Sequence, residues 1–144
     1  GTNRHSCNVT ALETSSVCEI PFNQLEDLSR QIPVLQHHFF QVMSRQIESN
    51  HKMLLTLSKK NAEGRLATLL VSLSHRFGRR HFSPNALRLP MSRQDIGNFL
   101  GLTIETVSRT FTRLQKDGII EVDGREIRIL DHDRLNHICH HSHP

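Results

Sequence analysis

The chain has 144 residues, 36% hydrophobic and 22% charged, with only 7 Gly and 5 Pro, a composition that sets aside the collagen-like and disordered classes. Its 18 Lys and Arg against 14 Asp and Glu give a formal charge of +4 and point toward an anionic partner. No stretch reaches the roughly 18 apolar residues of a membrane span, and no apolar run of a secretory signal opens the chain, so a cytoplasmic protein without a membrane partner is expected.

Residues 1 to 21 are polar and then alternate weakly through Thr14, Val17, Cys18 and Ile20 to Pro21, which reads as a strand or two without partners, as if cut from something larger. Asn23 is a candidate N-cap for a short turn through Leu25 and Leu28, and Pro33 suits the first turn of a helix. A helix from Pro33 to Lys60 would be about 40 Å long, more than a small domain needs for its own core.

Phe40, Met43, Ile47, Asn50, Leu54 and Leu57 lie along that helix at alternating spacings of three and four. These are the a and d positions of a heptad seam, so the helix is expected to pair with a second copy of itself. Asn50 favours that reading over an intramolecular core, because a polar seam residue costs stability but fixes register.

A second helix begins at Asn61, carries Leu66, Leu69, Leu70, Leu73 and Phe77 at helical spacing, and fades at Gly78. Residues 81 to 90 hold Ser-Pro and the alternation Leu87 and Leu89, a loop and a brief strand.

Residues 92 to 117, SRQDIGNFLGLTIETVSRTFTRLQKD, form two helical patterns broken after Gly101. Ser92 and Thr103 are the candidate N-caps, and Gly97 and Gly101 leave room for a close crossing and a tight turn. In the second helix Ile104, Val107, Phe111 and Leu114 share one face; Glu105, Ser108, Arg109, Thr112, Arg113 and Lys116 share the other.

Arg109 can donate two hydrogen bonds to a guanine, Glu105 can accept from a cytosine amino group, and Ser108 can meet a base or a phosphate. A helix-turn-helix presents the start of its second helix to the major groove, so these three residues are placed to read bases. Arg113 and Lys116 are assigned to phosphate, and Arg93 and Thr106 complete the expected DNA-binding set. Gly118 closes the helix, and IIEVDGREIRIL makes two strands around Asp123-Gly124, the hairpin of a wing.

The segments ALETSSVCEIPF (11–22), LLTLSKKNAEGRLA (54–67) and SRQDIGNFLGLTIETVSR (92–109) resemble the CRP/FNR family of transcription regulators, and its FNR-type, oxygen-sensing branch in particular. The resemblance covers nearly all of the chain. It implies a mainly α fold with a small β wing, a long dimerisation helix followed by a winged helix-turn-helix. Residues 1–22 would be the end of a β-roll sensor domain, 23–60 a linker turn and the dimerisation helix, and 61–144 the DNA-binding domain.

The resemblance further implies a homodimer that binds TTGAT-type inverted repeats through the pattern E-x-x-S-R, here Glu105, Ser108 and Arg109, and controls genes in response to oxygen limitation. In the family's FNR-type members Cys18 would match the fourth ligand of a 4Fe-4S cluster. The cysteine cluster that supplies the other three ligands has no counterpart in these residues, so no cofactor is expected in this chain, while the full-length protein is expected to carry the cluster. The stretch around Phe82 and Ser83 resembles a loop through which the family touches RNA polymerase.

Two other readings compete. The tail with His132, His137, Cys139, His140, His141 and His143 has the residue types of a zinc or nickel site, against a frayed polar end after a short helix through Leu135 and Ile138. A winged helix that binds only protein would show no salt-dependent DNA affinity. An enzyme is not expected: no Gly-rich phosphate loop, nucleophile elbow or HExxH occurs. Cys7, Cys18 and Cys139 form no CxxC, so isolated reduced thiols are expected.

Overall fold

The computed structural model describes residues 8–142. The chain divides into two compact units, residues 1–45 and 46–144.

In the first unit, residues 8–21 are exposed and carry no strand. The expected alternation at 14–20 is therefore corrected: its backbone groups have no neighbouring strand to pair with, and an isolated extended segment gains nothing over solvation. Helix α1 spans Phe22–Gln31. Asn23 lies inside it rather than capping it; Pro21, with its fixed extended geometry, stands at the N-cap position without a side-chain cap. Ile32 ends α1, and helix α2 (Pro33–Lys59) starts at the proline that cannot continue the previous helix.

The second unit holds the core. Helix α3 (Ala62–Arg79) is capped by Asn61, whose side chain accepts from the Gly64 N–H at 3.0 Å. Its apolar stripe buries Leu66, Ala67, Leu69 and Leu70. Strand β1 (Ala86–Arg88), helices α4 (Arg93–Leu100) and α5 (Ile104–Lys116), strands β2 (Ile120–Asp123) and β3 (Glu126–Ile129), and helix α6 (His132–His141) follow.

The three strands form one antiparallel sheet in the order β1-β3-β2. Leu87 faces Ile127, and Val122 faces Ile127 from the other side. Along β3 the pleat turns Ile127 and Ile129 inward and Glu126 and Arg128 outward. The wing is thus a three-stranded sheet, with the brief strand read at Leu87 as its third member. Its turn is also shifted by one residue: Asp123 still pairs with Glu126, so Gly124 and Arg125 are the loop residues. Gly124 has φ +55°, which the first position of a two-residue hairpin loop demands and glycine supplies without strain.

The C-terminal end is not frayed within the described residues. Helix α6 is capped by Asp131, which accepts from the Arg134 N–H at 2.9 Å, and it packs on α3 with Leu135 and Cys139 buried. An i, i+4 apolar pair is enough to dock a short helix onto an existing core. Among the described residues no helix is long and apolar enough to cross a membrane.

Candidate nucleic-acid interface

Two helices and the turn between them build the site. Ser92 and Asp95 form a reciprocal capping box at the start of α4: the Asp95 N–H donates to Ser92 Oγ at 3.1 Å and the Ser92 N–H to Asp95 Oδ2 at 2.9 Å. The Ser92 hydroxyl and backbone hydrogen bonds hold the Asp95 carboxyl below its ordinary range.

The turn into α5 depends on two glycines. Gly101 ends α4 at φ +63°, and the Leu102 N–H donates back to Gly97 O at 2.9 Å. A Cβ on Gly97 would lie 2.7 Å from Leu102 O, so the close crossing read from the sequence is a contact between helix and turn backbone. Arg65, which the sequence reading did not single out, clamps this corner from α3: Nε donates to Lys60 O at 2.9 Å and Nη1 to Leu100 O at 3.1 Å. Its spacing in α3 carried no signal, because an arginine next to an apolar stripe reads equally well as solvated.

Helix α5 starts at Thr103, whose Oγ1 accepts from the Thr106 N–H at 3.2 Å. Val107, Thr110, Phe111 and Leu114 are its buried residues. Ile104 was expected on that face but is 38% exposed; it opens the helix, where the first turn projects beyond the core. Thr110 takes an inward place instead, its hydroxyl satisfied by Thr106 O at 2.7 Å.

Glu105, Ser108, Arg109, Arg113 and Lys116 are all exposed along the opposite side of α5. Glu105 is held below the usual carboxylate range, first by a backbone N–H at the helix start and then by the Thr103 hydroxyl, with Arg109 adding to it. It stays an acceptor at neutral pH. The Ser108 hydroxyl has no partner among the described residues.

Arg113 is less free than the sequence suggested, since Nη1 lies 3.5 Å from Glu63 of α3. Arg93, at the start of α4, is half-buried with its guanidinium 3.4 Å from the centre of the Phe111 ring, and burial lowers its pKa. Thr106 is half-buried and bonded within its own helix turn. At the other end of α5, Arg134 Nη1 donates to Asp117 O at 2.8 Å, a second cap that no local pattern announced.

The seam residues Phe40, Met43, Ile47, Asn50 and Leu54 are exposed on α2, while Leu57 is half-buried. Asn50 Oδ1 accepts from Gln46 Nε2 at 3.1 Å. The histidine-rich tail does not gather: no group of three or more potential ligands occurs among the described residues. Cys139 is buried, His132 Nε2 is 2.7 Å from Asn85 Oδ1, and the His137 and His141 rings stack at 4.3 Å; His140 is exposed, and His143 lies outside the described residues. Cys7 lies outside them too. The described thiols are Cys18, exposed, and Cys139, buried in the second unit; one accessible thiolate does not fit a cluster that takes four ligands.

Residues 64–138 match the Crp-like helix-turn-helix domain. The match takes in α4, the turn, α5 and the wing, and the chain belongs to this family. It is similar, at 53% identity over 130 residues, to the transcriptional activator protein FnrA of Stutzerimonas stutzeri, covering 90% of this chain and 53% of that protein. The fumarate and nitrate reduction regulatory protein of Escherichia coli K12 is 49% identical over 142 residues, 99% of this chain and 57% of that one. Both are named as regulators rather than as enzymes. Among solved structures, FixK2 from Bradyrhizobium japonicum superposes with a TM-score of 0.74 at 31% identity, covering 81% of this chain and 57% of that one. The chain spans little more than half the length of the curated relatives it matches.

Proposed function

We propose that this chain is the DNA-reading and pairing portion of an FNR-type transcription regulator that binds TTGAT-type inverted repeats as a homodimer and responds to oxygen limitation. The observation that carries the reading is the exposed start of α5, where Glu105, Ser108 and Arg109 stand clear of the core on a capped helix. A helix-turn-helix enters the major groove with this part of its second helix. Arg109 would take the guanine, Glu105 the cytosine amino group and Ser108 a neighbouring base or phosphate. Lys116 and Arg113 would meet phosphate, Arg113 after exchanging Glu63 for it, and Arg93 and Thr106 support the reading surface from its edge.

Pairing is assigned to the exposed seam of α2 from Phe40 to Leu54, with Leu57 at its inner end. In a longer, cytoplasmic form of the protein Cys18 would be one thiolate of a 4Fe-4S cluster; the exposed thiol of Cys18 is compatible with that role. The loop at Phe82, 63% exposed, is the assigned contact to RNA polymerase. The similarity to regulators named for transcriptional activation and for fumarate and nitrate reduction supports the physiological part of the proposal.

The test is a titration of the chain against a TTGAT inverted repeat and a scrambled duplex at two salt concentrations, with the mass of the complex followed. Preference for the repeat, a dimeric complex and a steep loss with salt are expected. Equal, salt-insensitive affinity for both duplexes would leave the winged helix as a protein-binding module.

A further inference from the structure

Around the first turn of α5 three side chains are joined in series. Arg109 Nη2 donates to Thr106 Oγ1 at 3.4 Å, and Thr106 Oγ1 lies 3.1 Å from Thr103 Oγ1. A guanidinium only donates, so Thr106 Oγ1 accepts from Arg109; between Thr106 and Thr103 either hydroxyl can be the donor. Thr103 Oγ1 also accepts the Thr106 N–H at 3.2 Å, which ties the series to the helix cap.

We infer that Thr106, itself tied to the cap residue Thr103, is a positioning residue that holds the Arg109 guanidinium in place on the surface of α5 before DNA arrives. The inference rests on the base-reading role proposed above and adds the device that sets its precision. An arginine side chain left to itself loses several rotamers on binding, and preorganisation removes part of that loss. The N-cap threonine thus satisfies the helix start and ties Thr106 to it.

The experiment uses the whole chain with Thr106→Val, which keeps the shape and removes the hydroxyl, and Thr106→Ser, which restores it. Two readouts are taken: side-chain 15N relaxation of Arg109 in the free protein, and the ratio of affinities for the matched repeat and for repeats changed at the base pair Arg109 reads. Thr106→Val is expected to loosen Arg109 in the free chain and to lower the affinity ratio about fivefold, the worth of one ordinary hydrogen bond. Thr106→Ser is expected to recover both, and thermal unfolding checks that all three proteins are folded. A Thr106→Val variant that weakens every duplex equally while Arg109 mobility is unchanged overturns the relay and makes Thr106 a backbone contact. If the parent chain itself prefers no sequence, the base-reading role fails, and Arg109 relaxation in the free chain still decides the relay by itself.

Discussion

Arg109 and Asp95 show how differently two exposed polar residues of one motif work. Arg109 is not needed by the fold: its recorded hydrogen bond is to Thr106 at the surface. Replacing it by Ala is therefore expected to leave the melting temperature nearly unchanged while costing about 1 to 3 kcal/mol of binding to the matched repeat and relaxing the guanine preference. Equal losses on matched and scrambled DNA, measured by competition titration, would remove it from the base-reading set.

Asp95 belongs to the fold, through its reciprocal bonds with Ser92. Its carboxyl is held below the ordinary value, so the folded state binds that proton less readily than the unfolded chain does. The stabilisation it gives is complete above the unfolded pKa of about 4 and is lost as pH falls through the lower folded value. The melting-temperature gap between the parent chain and Asp95→Asn is accordingly expected to narrow as pH drops below about 4. A gap that stays constant down to strong acid would exclude the cap carboxylate as its source.

Among the elements, the turn between α4 and α5 is the least tolerant. Gly97 has its place because a carbonyl of the following turn occupies the space of a Cβ. Gly97→Ala is expected to destabilise the domain by about 1 to 3 kcal/mol, as overpacking of a well-filled contact does, and to lower DNA affinity by displacing the start of α5. Denaturant unfolding at neutral pH measures the first effect; a variant as stable as the parent would mean that the turn yields at little cost.

The caps, glycines and amphipathic face of this element were legible in the sequence because they are local: Ser92, Thr103 and Gly101 act within four residues of where they stand. Arg65, Arg134 and the inward place of Thr110 were not legible. Their partners are carbonyls and surfaces set by other elements, and the same residues on an isolated helix would be solvated. The misplaced turn at Gly124 has a similar origin, since register in a hairpin follows from which apolar residues of β2 and β3 must face the core, and β1 takes part in that choice through Leu87.

At the scale of the whole molecule, α2 offers Phe40, Met43, Ile47 and Leu54 to solvent, each at least 46% exposed, more apolar surface than a helix gains by leaving uncovered. Pairing of two copies along it would set two recognition helices about 34 Å apart, one turn of DNA. Ile47→Glu places a charge in the middle of that seam and is expected to shift sedimentation toward the monomer and to reduce affinity for the full inverted repeat far more than for a single half-site. Unchanged sedimentation and repeat affinity would take the seam out of the interface.

Sequence alone determined the helices of the second unit, the caps Ser92 and Thr103, the two glycines of the turn, the exposed polar face of α5 and the existence of the wing. Each of these rests on periodicity or on bonds between near neighbours, which a chain carries wherever it goes. Tertiary structure decided the rest. The third strand joined β3, α6 docked on α3 with Leu135 and Cys139 inside, and the segment before Pro21 formed no strand. In every one of these cases the outcome turned on whether a distant surface was there to bury apolar atoms and satisfy backbone groups, and that is a property of the assembled core rather than of any local stretch.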